Sequence, residues 1–269
     1  MKISNSTAGN FSYVAIPSPS KENSKAQNIV FVHGFPGRPQ DFRWLTPHLT
    51  MYNLYFIALP GQGLTSPQNI KEHTINSTSQ FVEDCIEQLR IDSFYIVGHS
   101  MGGTVVTDVA LQCHKKHKNC MGLILLSAVG MRPHKGFRKS YPKIVYSLTK
   151  KPFDRIFYPF IKRAFVQMGF PKGIDRTTIH VVLEYASNFS FQIHSQNLIS
   201  LTNTNIPIMI IYTKNDPLIE ISIFEEICVV TSPALICVYN DGGHNPQRKY
   251  CEDIGQKIIQ FINQTDLSK

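Results

Sequence analysis

The chain has 269 residues, 42% of them hydrophobic, and a formal net charge of +8 from 27 Lys and Arg against 19 Asp and Glu. This composition supplies enough apolar surface for a buried core, so it excludes a disordered tail and a disulfide-stapled miniprotein. The six cysteines follow no compact framework of spacings, which predicts buried free thiols in a reducing compartment; they are Cys85, Cys113, Cys120, Cys228, Cys237 and Cys251.

The positive charge is concentrated in one segment of the chain. Residues 131–176 hold 12 basic and 2 acidic residues, whereas the other 223 residues hold 15 basic and 17 acidic ones. A strongly basic surface attracts anions, so this segment predicts contact with an anionic substrate or with an anionic membrane surface. No nucleic-acid recognition motif accompanies the charge, and nucleic acid is not expected as a partner.

Along the chain, a polar start is compatible with a hairpin that turns near Gly9, and short apolar runs then alternate with longer amphipathic ones. The strands are predicted at residues 28–32, 54–58, 94–97, 122–127, 207–212 and 235–239, and the helices at residues 79–90, 101–114, 218–230 and 247–262. Most of these strands are apolar on both faces, as in a parallel sheet covered by helices on each side. The predicted fold class is therefore α/β, with a mostly parallel, doubly wound sheet.

The alternation stops between Met131 and about Ser195. This stretch holds 12 of the 29 aromatic residues and is interrupted by prolines, so we predict short helices forming an inserted cap. The predicted division is a core of residues 1–130 and 196–269 with a helical cap of residues 131–195. The aromatic side chains either pack the cap onto the core or offer an apolar pocket to a substrate.

A G-x-S-x-G motif occupies residues 98–102, directly after a predicted strand and before a predicted helix. In a nucleophile elbow the serine sits on a strained strand-to-helix turn, so the positions two before and two after it must lack side chains. Gly98 and Gly102 meet this requirement around Ser100. The N-terminus of the following helix favours developing negative charge, so the motif predicts that Ser100 is a catalytic nucleophile.

A second motif, HGFPG at residues 33–37, follows the strand at 28–32. Together with the elbow it resembles the oxyanion-hole loop of the α/β-hydrolase fold family, and the resemblance extends over about residues 28–264. It implies that the backbone N–H groups of Phe35 and Met101 bind the oxyanion of a tetrahedral intermediate. Losing one such donor typically costs about 100- to 1000-fold in rate.

Other positions bear on the subfamily. Epoxide hydrolases and haloalkane dehalogenases of this fold place Asp at the elbow, and Ser100 argues against both. Residues 58–65 read ALPGQGLT, where relatives often have D-x-P-G-x-G-x-S. This departure weakens placement within a subfamily.

A serine hydroxyl needs a base, and the base needs an acid that orients it. The order of these residues in the resembling family is Ser, acid, His. It implies Asp216, just past the strand at 207–212, as the acid, and His244, just past the strand at 235–239, as the base. Both follow strand ends that would bring them beside Ser100.

The remaining acids and histidines are given other roles. Asp241 is the rival acid, but it lies three residues before His244 in the same turn and is expected to be solvated. Asp108 is expected at the surface. His33 and His99 are expected to shape loops through hydrogen bonds.

The resemblance implies a capped serine hydrolase that cleaves a carboxylic ester through an acyl-enzyme, with lipid-like and thioester substrates among the candidates. Two alternatives stay open: a carbon–carbon bond hydrolase of diketones, and a non-catalytic scaffold that binds an anionic partner through its basic cap. No cofactor is expected. No metal is expected either, because the Cys- and His-containing run at residues 113–120 is interpreted as an exposed basic helix end.

The expected location is intracellular and soluble, most simply the cytoplasm. The first 30 residues contain no apolar run of signal-peptide length, and no run of 18 apolar residues occurs in the sequence.

Overall fold

The structure is a computed structural model that describes residues 3–6, 11–19, 26–138, 141–167, 170 and 172–266. The strands are β1 Ile3–Ser6, β2 Phe11–Ile16, β3 Asn28–Val32, β4 Asn53–Ile57, β5 Ser93–His99, β6 Asn119–Leu126, β7 Ile208–Thr213 and β8 Leu235–Tyr239. The α-helices are α1 Ile75–Gln88, α2 Met101–Lys115, α3 Lys135–Arg138, α4 Pro142–Leu148, α5 Asp154–Gln167, α6 Arg176–Asn188, α7 Phe191–Ser200, α8 Ile221–Thr231, α9 Pro246–Lys249 and α10 Cys251–Asp266. Short 3₁₀ helices lie at Pro39–Phe42, Thr46–His48, Pro67–Asn69 and Leu201–Asn203.

One sheet of eight strands organises the described residues, in the order β1-β2-β4-β3-β5-β6-β7-β8. Strand β2 runs antiparallel to β1 and β4, and the pairs from β4 through β8 are parallel. This confirms the predicted fold class. The hairpin of β1 and β2 is present, but the turn predicted near Gly9 lies outside the described residues.

The two faces of the sheet are covered by different helices. Because successive strand side chains point to opposite faces, Val30 of β3 packs in one apolar cluster and Phe31 in the other. The cluster of Val30 includes Val105 of α2, and the cluster of Phe31 includes Ile258 of α10. This layering places β3 and β5 at the centre of the core, with their carboxyl ends at one edge of the sheet.

The predicted strands match the observed ones closely, and the deviations have local causes. Strand β8 lies at the sheet edge, so Ile236 and Val238 are 44% and 42% exposed rather than covered on both faces. The helix predicted at 247–262 is interrupted at Tyr250, between α9 and α10.

Between β6 and β7 the described residues form five α-helices, α3 to α7, then the 3₁₀ helix Leu201–Asn203, and no strand. We call the described part of residues 131–195 the helical insertion. It has an apolar cluster of its own, whose buried residues are Ile161, Phe165, Ile174, Ile179 and Leu183. Tyr185 and Leu198 instead pack in a core cluster. The predicted boundary at Ser195 falls inside α7, and the division into core and cap stays a prediction.

No disulfide joins any of the six cysteines; Cys85, Cys113, Cys120 and Cys237 are buried, as predicted, whereas Cys228 and Cys251 are partly exposed. Within the described ranges, no helix combines the length and apolar character needed to cross a membrane.

Candidate active site

Ser100 lies at the junction of β5 and α2, with φ 54° and ψ −125°. A positive φ is uncommon for a residue with a side chain, and here the crowded turn imposes it. A Cβ on Gly98 would lie 2.3 Å from Val106 Cγ2, and a Cβ on Gly102 would lie 2.4 Å from His33 O. Only glycine fits at these two positions, which is the steric demand that the motif predicts.

The structure brings Ser100, His244 and Asp216 into one chain of hydrogen bonds. Ser100 Oγ–H donates to His244 Nε2 over 2.8 Å. His244 Nδ1–H donates to Asp216 Oδ2 over 2.7 Å. The imidazole is therefore held as the tautomer that can accept the serine proton.

Asp216 has a fully buried side chain. Its other oxygen, Oδ1, accepts hydrogen bonds from the backbone N–H groups of Leu218, over 2.8 Å, and Ile219, over 3.1 Å. Burial alone would raise the pKa of Asp216, but the hydrogen bonds from His244 and from these backbone donors outweigh it and hold the pKa below its usual range. The group is thus a carboxylate suited to stabilising an imidazolium.

The loop that carries His244 is fixed by groups that sequence reasoning did not single out. Gly243 N–H donates to Asn215 Oδ1 over 2.9 Å, and Thr213 Oγ1–H donates to Gly243 O over 2.7 Å. Thr213 and Asn215 lie at the end of β7, next to Asp216. This closeness to Asp216 in the sequence is the signal that could have pointed to them.

His99 has the loop-shaping geometry that the sequence predicts. Its Nε2–H donates to the carbonyl oxygen of His244 over 2.9 Å. Burial, followed by the nearby charge of His244, lowers the pKa of His99 to about 3. The ring is therefore neutral, and it positions the backbone of His244 instead of moving a proton.

The loop of Phe35 lies directly against the nucleophile. A Cβ on Gly34 would lie 2.9 Å from Ser100 Cβ, so the loop backbone approaches the serine closely. Met101 opens α2, where the first N–H groups have no acceptor within the helix. Phe35, Ser100 and Met101 line one pocket. The two backbone groups expected to hold an oxyanion therefore flank the serine.

Buried side chains hold this loop in place. His33 Nδ1–H donates to Gly34 O over 2.9 Å, and His33 Nε2 accepts from Leu59 N–H over 3.1 Å. Burial lowers the pKa of His33, which keeps its ring neutral. Gly37 N–H donates to Gln62 Oε1 over 2.8 Å, so the loop at 58–65 supports the loop of Phe35 despite its departure from the family pattern.

A pocket of about 120 Å³ lies between Ser100 and the helical insertion. We call it the serine pocket; it is lined by Phe35, Pro36, Ser100, Met101, Val129, His134, Gly136, Phe137, Phe165, Phe170, Val182, Leu183, Tyr185, Ala186 and Leu218. Within the described part of the chain, no Lys, Arg, Asp or Glu lines it. Phe35 stacks on Tyr185 with ring centroids 4.5 Å apart, which joins the loop of Phe35 to α6.

The opposite face of α6 borders a groove of about 600 Å³, called here the basic groove. Its lining includes four basic residues and two carboxylates, namely Lys71, Lys150, Lys151, Arg176, Asp154 and Glu184. Asp154 pairs with Arg176. Lys150, Lys151 and Arg176 of the basic segment therefore line this groove, whereas no described Lys or Arg of that segment lines the pocket at Ser100.

Asp241 and Asp108, the other two acids considered from the sequence, both lie in hydrogen-bonded settings apart from His244. Asp241 bonds Lys249 over 2.6 Å, away from His244. The expectation that Asp108 is a surface residue is wrong: it is 8% exposed and accepts hydrogen bonds from Ser79 and Asn197, because α1 and α7 cover this side of α2. Among the residues that the structure describes, no group of three or more His, Cys, Asp and Glu is placed to hold a metal ion.

Comparison with known proteins supplies independent findings. The model of a family described as an alpha/beta hydrolase of unknown function, DUF1057, matches residues 11–235. The uncharacterized hydrolase YugF of Bacillus subtilis is 24% identical over 262 residues, which cover 90% of this chain and 92% of that protein.

Two solved structures share the fold at low identity. A lipase-esterase related protein from Clostridium acetobutylicum has a TM-score of 0.69 and 20% identity, covering 94% of this chain and 99% of its own. The haloalkane dehalogenase DbeA from Bradyrhizobium elkani has a TM-score of 0.75 and 14% identity, covering 100% of this chain and 99% of its own.

Proposed function

The chain belongs to this alpha/beta-hydrolase family, and we propose that it is a serine hydrolase that cleaves a neutral carboxylic ester with a short acyl chain. The observation that carries the proposal is the hydrogen-bonded chain from Ser100 through His244 to Asp216, with distances of 2.8 and 2.7 Å. Ser100 is also one of the residues that line the mainly apolar serine pocket. This arrangement is what acyl transfer through a covalent intermediate requires.

The proposed reaction uses these groups in sequence. Ser100 Oγ attacks the ester carbonyl carbon while its proton passes to His244 Nε2. The carbonyl oxygen becomes an oxyanion, which the N–H groups of Phe35 and Met101 bind. The tetrahedral intermediate then collapses, the C–O bond breaks, and His244 returns the proton to the leaving alcohol. Water, deprotonated by His244, attacks the acyl-enzyme in the same way and releases the carboxylic acid.

The size and polarity of the serine pocket support the choice of substrate class. Its volume of about 120 Å³ is well below the roughly 300–1,000 Å³ of pockets that take drug-sized ligands. The described residues of its lining include no Lys, Arg, Asp or Glu, so a neutral ester with a short acyl group suits it better than an anion. A long lipid chain needs more room than this pocket offers, and a short thioester remains compatible with the same chemistry.

Two other functions fit less well. A carbon–carbon bond hydrolase of diketones would use the same three residues, so only an activity assay can distinguish it from an ester hydrolase. A non-catalytic scaffold that binds an anionic partner draws support from the basic groove. Such a scaffold would have no need to keep Ser100, His244 and Asp216 in hydrogen-bond contact.

We further propose that residues 131–195 act as a cap whose outside contacts anionic membrane surfaces. Five of the twelve exposed large hydrophobic side chains among the described residues lie in one stretch of the insertion, residues 141–160; this set, called here the outer surface, is Tyr141, Ile144, Phe153, Ile156 and Phe160. Exposed basic residues, including Lys143, Arg155 and Arg163, lie close to them in sequence. Apolar side chains among cations are typical of helices that lie on anionic lipid.

The catalytic proposal is tested with a fluorophosphonate probe, which reacts with an activated serine. We expect labelling of the native protein at Ser100 and none in Ser100→Ala. The matched control is Ser187→Ala, because Ser187 is a buried serine of α6 that does not line the serine pocket. Unlabelled native protein that is shown to be folded contradicts the proposal. Comparing turnover of short aryl esters with that of a vinylogous diketone then separates ester from carbon–carbon cleavage.

A further inference from the structure

His134 is one of the residues that line the mainly apolar serine pocket, and none of the catalytic steps above uses it. The residue is 8% exposed. Its Nδ1–H donates to the carbonyl oxygen of Leu218 over 3.0 Å. Its Nε2 is buried and has no hydrogen-bond partner among the described residues. The bond at Nδ1 leaves Nε2 with a lone pair, so this atom is an unfilled hydrogen-bond acceptor.

The imidazole is held in this orientation from several sides. Leu218 O also accepts from Gly136 N–H over 3.0 Å, and Leu218 N–H is fixed by the catalytic carboxylate of Asp216. A Cβ on Gly136 would lie 3.3 Å from two atoms of the His134 ring, so the turn packs tightly on it. The ring also meets Phe137 edge-on, with centroids 6.0 Å apart. These contacts fix the orientation of the His134 ring.

The ring is neutral under ordinary conditions. Burial is the largest cause that lowers the pKa of His134, and the nearby charge of His244 acts in the same direction. A neutral imidazole whose Nδ1 carries the proton can only accept at Nε2. A buried acceptor without a partner costs free energy, and a donor that enters the pocket would recover it.

We propose that His134 is a specificity-determining residue whose Nε2 accepts a hydrogen bond from a hydroxyl group of the substrate, so that the preferred substrates are short hydroxylated esters. This inference rests on the proposed ester hydrolysis. An ammonium donor is disfavoured, because none of the described residues that line the pocket carries a carboxylate to balance its charge.

An amide donor is disfavoured for a different reason. Its carbonyl oxygen would need a second donor, and the hydroxyl in the lining best placed to serve, that of Tyr185, is bonded to Thr104 over 2.9 Å. Thr104 donates its own proton to Met101 O, so the proton of Tyr185 is the one shared between the two hydroxyls. A hydroxyl group supplies one donor and has no carbonyl oxygen that needs a second donor in the pocket.

The test measures kcat/KM for matched ester pairs that differ by one hydroxyl: aryl butyrate against aryl 3-hydroxybutyrate, and ethyl butyrate against 2-hydroxyethyl butyrate. The pairs place the hydroxyl on the acyl and on the alcohol side. We expect the native enzyme to favour at least one hydroxylated ester about tenfold or more, since sites built to bond a hydroxyl discriminate strongly against analogues that lack it. In His134→Phe this ratio should fall to about one, and His134→Gln, which keeps an acceptor, should retain part of it.

The matched control is His194→Phe. His194 is also a buried histidine with one unpartnered ring nitrogen, but it does not line the serine pocket. Its substitution should leave the ratio unchanged. The ratio of kcat/KM for two substrates in one preparation does not depend on how much enzyme is folded, so a loss of stability in His134→Phe leaves it interpretable.

Two results overturn the inference: no hydroxylated ester is preferred by the native enzyme, or the preference survives in His134→Phe. Fluorophosphonate labelling of Ser100 in the same preparations separates these results from failure of the proposed function. Labelled enzyme without a hydroxyl preference refutes only the role of His134. Unlabelled native enzyme refutes the serine hydrolase itself.

Discussion

The α/β core and the helical insertion differ in how they expose their side chains. In the core, strands β3 and β5 are almost fully buried, and the groups around Ser100 are held by backbone contacts and neutral histidines. In the insertion, the outer surface leaves large apolar side chains 51–70% exposed. This difference agrees with the proposal that the core holds the catalytic groups and that the insertion acts as a cap over them.

Charge follows the same division. The segment at 131–176 is strongly basic, whereas the rest of the chain is slightly acidic. Among the described residues, no Lys or Arg of this segment lines the serine pocket. Those that line a cavity face the basic groove, across α6 from Ser100. The sequence predicts that this segment contacts an anionic substrate or an anionic membrane surface. Three of its basic residues, Lys150, Lys151 and Arg176, line the basic groove.

The largest effect is expected from the core carboxylate. Asp216→Asn removes the acceptor that fixes the His244 tautomer, and we expect kcat to fall about 10³- to 10⁴-fold for every ester, by analogy with other Ser-His-Asp sites. Asp241→Asn alters a carboxylate that pairs with Lys249, and kcat should stay within about threefold. Steady-state kinetics on one aryl ester compares the two variants. Equal losses in both would mean that the acid has been assigned to the wrong residue.

The sequence predicts those features of the fold and the site that a local pattern of residues encodes. The bounds of β3 and β8 match their apolar runs, and the elbow follows from two glycines that steric contact requires. Because parallel strands end at one edge of the sheet, residues at strand ends such as Asp216 and His244 are predictable neighbours of Ser100.

Other features depend on packing that no local pattern records. The burial of Asp108 arises only when α1 and α7 close over α2. The free Nε2 of His134 depends on Leu218, which is 84 residues away in sequence. The exposure of β8 reflects its place at the sheet edge, which an apolar run cannot reveal.

A smaller effect is expected on the outer surface of the insertion. The double substitution Ile156→Ser and Phe160→Ser removes two exposed apolar side chains, 63% and 70% exposed, that would insert into a bilayer interface. Each such side chain contributes roughly 1.5–3 kcal/mol when fully buried, so vesicle binding should fall about tenfold or more.

Co-sedimentation with vesicles containing phosphatidylserine measures this binding, and hydrolysis of a soluble aryl ester should be unchanged. Native binding should also weaken as salt rises, since the adjoining cations are screened. The control is Val229→Ser, because Val229 is a large hydrophobic residue, 80% exposed, on α8 of the core. If the native protein does not bind, or if both variants bind as the native protein does, the membrane proposal fails.

The smallest effect concerns the start of α6, the helix between the two cavities. Asp175 caps it by accepting from Thr178 N–H over 2.8 Å. Burial alone would raise the pKa of Asp175, but hydrogen bonds from Thr178 outweigh it and hold the pKa below its usual value. Asp175→Ala should lower the free energy of unfolding by about 1 kcal/mol at pH 7, a typical value for a lost helix cap.

The sign of the pH dependence follows from the depressed pKa. A carboxyl group that binds its proton less tightly in the folded state stabilises the protein above its unfolded pKa, about 3.9 for Asp, and this contribution disappears as pH falls through the folded value. Urea unfolding of native protein and Asp175→Ala should therefore differ at pH 7, and the difference should shrink as pH falls below the unfolded pKa of Asp. An unfolding difference that persists in acid would mean that Asp175 acts through packing. In that case the contribution of Asp175 to stability would not depend on the ionisation of its carboxyl group.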